Sequence, residues 1–188
     1  MFLDRDGVLI EDAPLLTDAR DIRLIPGVAL ALKKLKTAGL RLIVVSNQAI
    51  VARGLSTESE LRTLNKRIAE LLVLDGAPRL KSFYCCPHHP NATLPAYRVN
   101  CDCRKPEPGF LLRAARDHGL DLRASFMVGD RLTDVIAGAR AGCRTVLILS
   151  GEHEAPPIET SAPLDSSIIP DRACADLSEA ADWILKVL

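Results

Sequence analysis

Apolar and polar residues come in blocks along this chain, and the blocks predict its elements. Met1-Phe2-Leu3 is a short apolar run that stops abruptly at Asp4-Arg5-Asp6-Gly7. Leu40 to Val45 is a second, nearly continuous run, as a strand buried on both faces of a sheet requires. Phe83-Tyr84-Cys85, Phe126-Met127-Val128 and Arg144 to Leu149 have the same character. Between these runs the period changes to that of a helix. From Gly27 to Ala38, Val28, Leu32 and Leu35 mark one face and Lys33, Lys34 and Lys36 the other, with Gly39 as the stop. Thr57 and Glu60 make a capping box for a helix reaching about Leu74. Pro108 suits the first turn of a helix that runs to His118 and is ended by Gly119. Another helix covers roughly Leu132 to Ala141, and Asp176 with Glu179 opens the last, with Trp183 on its apolar side. Residues 8–26, broken by Pro14 and Pro26, read as an irregular loop, and residues 151–170, rich in Pro, Ser and Glu, as a surface loop.

Strands alternating with helices predict an α/β fold, a parallel sheet covered by helices on both faces. There is no internal repeat and no composition break, so residues 1–188 read as one domain. In such sheets ligands bind at the carboxyl edge of the strands. That edge is where the chain keeps its chemistry. Asp4 and Asp6 end the first strand, Ser46-Asn47-Gln48 the second, and Gly129-Asp130 a later one, while Arg104-Lys105-Pro106 stands just before a helix. Each has a bland reading taken alone: a capped turn, a helix-cap serine, a solvated basic pair, an N-capping aspartate.

Composition narrows the partners. Lys plus Arg and Asp plus Glu are both 24, so there is no basic excess to bind nucleic acid. No run of apolar residues is long enough to span a membrane, and the chain opens directly in a strand with no basic, then apolar, leader. A cytoplasmic monomer acting on a small molecule is the expectation. The first strand is short at its start, which suggests that residues precede Met1. Of the six cysteines, Cys85, Cys86, Cys101 and Cys103 fall in one stretch that also holds His88 and His89. Without a secretory signal, metal binding explains this density better than disulfides. Cys86-x-His88 and Cys101-x-Cys103 offer three thiolates and an imidazole, a closed tetrahedral set for a structural Zn²⁺. Spacing leaves Cys85 and His89 open as alternative ligands.

In order, Asp4-x-Asp6-Gly7, Ser46, Lys105-Pro106 and Gly129-Asp130-x-x-x-Asp134 resemble the motifs of the haloacid dehalogenase (HAD) superfamily, whose fold is Rossmann-like. The resemblance implies Asp4 as a nucleophile that becomes an aspartyl-phosphate, and Mg²⁺ held by Asp4, the backbone carbonyl of Asp6, and Asp130. It implies that Lys105 pairs with the nucleophile and the phosphoryl group, and that Ser46 donates to a phosphoryl oxygen. Asp134 is expected to orient its neighbours. A carboxyl at position 6 suits protonation of a leaving alkoxide and then activation of water, which favours ester hydrolysis, although a sugar phosphomutase would carry the same residue.

Asp4-Arg5-Asp6-Gly7, Ser46-Asn47-Gln48 with Ala52-Arg53-Gly54, Cys86-Pro87-His88-His89-Pro90 and Cys101-x-Cys103-Arg104-Lys105-Pro106 together resemble the D-glycero-D-manno-heptose 1,7-bisphosphate phosphatase family. That resemblance implies removal of the 7-phosphate, with Asn47, Gln48, Arg53, Arg104 and Arg131 on the substrate side. Residues 8–26 and 86–104 are too short for a cap domain, so the zinc loop 86–104 is expected to stand in for part of one. Ala13-Pro14-Leu15 departs from the polar and aromatic segment usual in that family. The related zinc-containing histidinol-phosphate phosphatases share these motifs and are the alternative.

Overall fold

A computed structural model describes residues 1–13, 16–149 and 167–188. Pro14 and Leu15 of the departing segment, residue 150, and residues 151–166 of the loop expected at 151–170 lie outside them. The elements in chain order are β1 (Phe2–Leu3), α1 (Val28–Thr37), β2 (Ile43–Asn47), α2 (Glu58–Leu74), β3 (Ser82–Cys86), α3 (Gly109–His118), β4 (Phe126–Gly129), α4 (Leu132–Ala141), β5 (Arg144–Ile148), β6 (Arg172–Cys174) and α5 (Leu177–Val187).

The strands form one sheet of six in the order β3-β2-β1-β4-β5-β6, every pair parallel. Period-two alternation divides the strand side chains between two layers. Leu3, Val44, Val128 and Val146 pack with α1, α2 and α5 through Leu32, Leu35, Ile68 and Ala180. Phe2, Ile43, Val45 and Met127 pack with α3 and α4 through Leu111, Ala114 and Ala137. Helices therefore cover both faces, as the uninterrupted apolar runs require. The expected caps form. Thr57 Oγ1 accepts from the Glu60 amide while the Glu60 carboxylate accepts from the Thr57 amide, and Asp176 accepts from the Glu179 amide. Trp183 of α5 meets Phe126 edge-on at 6.1 Å, with the Arg144 guanidinium over its ring at 4.8 Å.

Three expectations need correction. The second strand starts and ends later than the apolar run. Leu40 to Leu42 lead in, and Ser46 and Asn47 belong to β2 because they pair with Cys85 and Cys86. β6 was not expected, because Arg172-Ala173-Cys174 has no apolar run; its backbone completes the edge beside β5. Residues 8–26 are less irregular than their prolines suggest. Ile10 bridges to Asp6 and Leu24, a 3-10 turn spans Ala19–Asp21, and Val8, Leu9 and Ile10 are buried. This returning segment seals the region just beyond the end of β1.

Candidate active site

β1 and β4 are neighbours, so the residues that follow them meet. Asp4 leaves the end of β1 and is tied back by its amide to the Val128 carbonyl of β4 at 2.9 Å. Asp130 follows the last residue of β4, and Asp134 is held in the first turn of α4. Carboxylate oxygens of Asp4, Asp130 and Asp134 all lie within 4.8 Å of one another, and all three residues are buried. Gly7 makes this approach possible. Its φ is +71°, and a Cβ there would stand 2.6 Å from the carboxyl carbon of Asp130.

Lys105 enters the cluster from the loop before α3. Its ammonium lies 3.0 Å from Asp4 Oδ1 and 2.5 Å from Asp134 Oδ1, and donates to the Val45 carbonyl at 2.8 Å. The side chain is 2% exposed. Burial pulls its pKa down, but Asp134 and Asp4 outweigh burial and hold it above the ordinary lysine value. The carboxylates shift the other way. Burial first, then the negative charges of Asp4 and Asp134, push Asp130 up to about 8. Burial pushes Asp134 up to about 6 against the pull of Lys105. One ammonium thus shares a buried pocket with three acid groups, an arrangement that calls for more positive charge.

Ser46, at the end of β2, is buried, and its Oγ accepts from Gln48 Nε2 at 3.0 Å. Asp6 is half-buried beside Asp4, and burial raises its pKa against the opposing pull of Arg5. The structure therefore brings Asp4, Asp6, Ser46, Lys105, Asp130 and Asp134 to one patch of the carboxyl edge.

Residues assigned to the substrate side are placed in two ways. Asn47 clamps the Lys105 peptide: its Nδ2 donates to the Lys105 carbonyl at 2.9 Å and its Oδ1 accepts from the Lys105 amide at 3.0 Å. Gln48 is buried, donating to Asp6 Oδ2 at 2.6 Å and accepting from Arg5 at 2.7 Å. Both amides therefore serve neighbouring protein groups. Arg53 and Arg131 are exposed and Arg104 half-buried. Arg131 pairs with Asp12 at 2.8 Å at the rim, and Arg104 donates to the His88 carbonyl at 3.1 Å.

Two polar residues in this network carried no role in the sequence reading. Arg5, 2% exposed, donates to Asp6, Gln48 and Asn65, and Asn65 is buried in the middle of α2. The available signal for Asn65 was an amide on the apolar face of a helix, flanked by Leu61, Leu64 and Ile68.

Beside the carboxylates lies a second ligand set. Cys86, His88, Cys101 and Cys103 converge, with the Cys103 thiol 3.2 Å from those of Cys86 and Cys101 and 3.4 Å from His88 Nδ1. Cys86 and Cys101 stand 3.6 Å apart. All six cysteines are free thiols. The two alternatives left open by spacing face elsewhere. Strand alternation turns Cys85 away from Cys86 and toward Asn65, which donates to it at 3.2 Å, while His89 Nδ1 accepts from the Asn91 amide at 3.1 Å. Arg104 alone separates Cys103 from Lys105, so the cluster anchors the loop that carries the buried ammonium.

Residues 102–180 match the family model of HAD-hydrolase-like proteins. The chain is 38% identical over 187 residues to a D-glycero-β-D-manno-heptose-1,7-bisphosphate 7-phosphatase of Photorhabdus laumondii, covering 99% of this chain and 96% of the relative. The protein of the same name from Escherichia coli K12 is 40% identical over 164 residues, 86% of this chain and 85% of its own. Among solved structures, the D,D-heptose 1,7-bisphosphate phosphatase of B. bronchiseptica, in complex with magnesium and phosphate, superposes with a TM-score of 0.81 at 29% identity. It covers 100% of this chain and 98% of that one. A putative HAD-like phosphatase of Mesorhizobium loti gives the same TM-score at 32% identity, covering 99% of this chain and 84% of its own.

Proposed function

The chain belongs to the D-glycero-β-D-manno-heptose-1,7-bisphosphate 7-phosphatase family, and we propose that this phosphoric monoester hydrolase removes the 7-phosphate of that bisphosphate through an aspartyl-phosphate on Asp4. The observation that carries the reading is the Lys105 ammonium bridging Asp4 and Asp134 within the buried carboxylate cluster that also holds Asp130. The proposal also treats the protein as a cytoplasmic monomer whose catalytic domain is residues 1–188, with the loop 86–104 set into it. No helix among the described residues is long and apolar enough to cross a membrane.

The oxygen donors of Asp4, Asp130 and the Asp6 backbone carbonyl suit Mg²⁺, a hard cation that keeps several waters. The crowding that raises Asp130 is the condition a dication relieves. When bound, the ion supplies positive charge against the phosphoryl oxygens. The sulfur-rich cluster suits Zn²⁺, since a tetrahedron with Zn–S bonds of about 2.3 Å has S···S edges of about 3.8 Å. The observed edges of 3.2 to 3.6 Å are those of such a set drawn slightly inward. A closed shell of four protein ligands makes this site structural.

The residues then divide the work. An Asp4 carboxylate oxygen forms a bond to phosphorus as the bond from phosphorus to the sugar oxygen breaks, and Asp6 gives its proton to that oxygen. Asp6, now a carboxylate, takes a proton from water as the water oxygen attacks phosphorus, which releases inorganic phosphate and regenerates Asp4. Lys105 and Ser46 hold the charge of the transferring group, an electrostatic role that dominates phosphoryl transfer. Arg53, Arg104 and Arg131 supply cations for the remaining phosphate, and Asn47 and Gln48 line the approach while bracing Lys105 and Asp6.

The test is phosphate release from heptose 1,7-bisphosphate by the purified protein, with and without Mg²⁺, beside histidinol phosphate. The heptose ester should be preferred, and Asp4→Asn should abolish turnover with the melting temperature retained. Faster turnover of histidinol phosphate, or activity in Asp4→Asn, would refute the reading.

A further inference from the structure

Side chains of adjacent residues in an extended strand point to opposite faces. Arg5 and Asp6 nevertheless meet, because β1 ends at Leu3 and the chain then turns, with the Leu9 amide returning to the Arg5 carbonyl at 2.9 Å. The Arg5 guanidinium grips both carboxylate oxygens of Asp6: Nε lies 3.1 Å from Oδ1 and 3.2 Å from Oδ2, and a terminal nitrogen 2.9 Å from Oδ1. Its remaining contacts go inward, to Gln48 Oε1 at 2.7 Å and Asn65 Oδ1 at 3.1 Å. Asn65 is itself oriented by donating to Cys85. Gln48 closes the circuit by donating to Asp6 Oδ2. A guanidinium buried this deeply has no surface function, and its planar fork fits a carboxylate from two sides as no ammonium can.

We propose that Arg5 is a positioning residue, locked by Asn65 of α2 and by Gln48, which sets the carboxyl of Asp6 at the leaving-group oxygen before substrate arrives. The proposal rests on Asp6 being the acid and base of the reaction. It assigns a catalytic consequence to Asn65, a residue that touches neither substrate nor Asp6.

The discriminating property is the leaving group. An alkyl phosphate expels an alkoxide that must be protonated, whereas p-nitrophenyl phosphate expels a stable phenolate that needs no proton. Arg5→Met should lower kcat/KM for heptose bisphosphate by about 10²-fold, the scale of a misplaced catalytic group. Its kcat/KM for p-nitrophenyl phosphate should fall by less than about 10-fold, well below the 10²–10⁴ range of general acid catalysis. Breakdown of the aspartyl-phosphate still needs the base, so the variant should release a burst of about one nitrophenolate per site and then turn over slowly. Arg5→Lys should recover part of the alkyl-ester rate. Asn65→Ala, which keeps the guanidinium and gives a readout should Arg5→Met not fold, should show the same bias at about 10-fold.

Asp6→Asn separates the two ideas. If it shows no leaving-group bias, the acid-base assignment fails and the positioning role falls with it. If Asp6→Asn shows the bias while the Arg5 and Asn65 variants lower both substrates equally and give no burst, the positioning role alone is overturned.

Discussion

Gly7, like Gly129 against Asp134, is a place where a missing side chain lets the site close, and Gly7→Ala tests it. Two costs arise, and they separate. A non-glycine residue at a φ of +71° costs about 1–2 kcal/mol. For a chain of this length that is a fall in Tm of about 2–8 °C. The added methyl also meets Asp130, with the carboxyl carbon at 2.6 Å where carbon atoms ordinarily rest about 3.5–4.0 Å apart. Asp130 or the β1 exit must retreat by about 1 Å, and a displacement of that size costs about 10²-fold in rate. Gly39→Ala is the matched control. Its φ is +90°, but nothing lies within 4 Å of the new methyl, so it should lose comparable stability and no activity. Phosphate release from heptose bisphosphate at saturating Mg²⁺, with a thermal melt on the same preparations, reads both quantities. Gly7→Ala retaining more than about a third of wild-type kcat, or Gly39→Ala losing activity in parallel, would refute the close packing of Asp130 on the turn as the cause.

Cys103→Ala should lose bound zinc, measured by atomic emission, together with thermal stability, since binding energy at such a site is folding energy; zinc held at the wild-type ratio would remove Cys103 from the ligand set. Lys105→Met should cost about 3–5 kcal/mol in urea unfolding without Mg²⁺, because it strands Asp4 and Asp134 in the interior. Asp134 already sits at about 6, above its unfolded value of 3.8, so the native state takes up its proton first. Without Lys105 the Asp134 pKa rises above 6, so the Lys105→Met deficit should shrink as pH falls toward 6 and level off below it, where wild-type Asp134 takes up its own proton; a deficit independent of pH above 6 would contradict the ion cluster. Asn47→Ala removes both bonds to the Lys105 peptide and should lower kcat about 10-fold with KM little changed, read in the same phosphate-release assay.

The chemistry was more legible in the sequence than its supports. Asp4, Ser46 and Asp130 were flagged because each stands at a break between an apolar run and a polar turn, Lys105 because it precedes a helix, and all four were given roles by the ordered resemblance rather than by any one position. Spacing brought the Cys/His cluster into view, but the choice between Cys85 and Cys86 was decided by strand alternation, which spacing cannot see. Arg5 and Asn65 were passed over for a physical reason. Apart from Asp6, their partners are distant in sequence, and a buried arginine between two aspartates looks the same on paper as a solvated one. Asn47 and Gln48 were placed by motif, but the motif says nothing of which way an amide turns; here Asn47 faces the Lys105 peptide and Gln48 faces Asp6. β6 escaped because an edge strand of three residues, two of them exposed, needs backbone pairing and little apolar surface.

The strand that begins the chain lies in the middle of the sheet, between β2 and β4. A ribosome delivers it before the sheet's other described strands, yet one of its two flanking partners emerges more than a hundred residues later. Until then Asp4 lacks Asp130 and Asp134 and has only half a floor beneath it. The carboxylate cluster is therefore all or nothing during synthesis: no nascent fragment that ends before α4 can bring Asp4, Asp130 and Asp134 together.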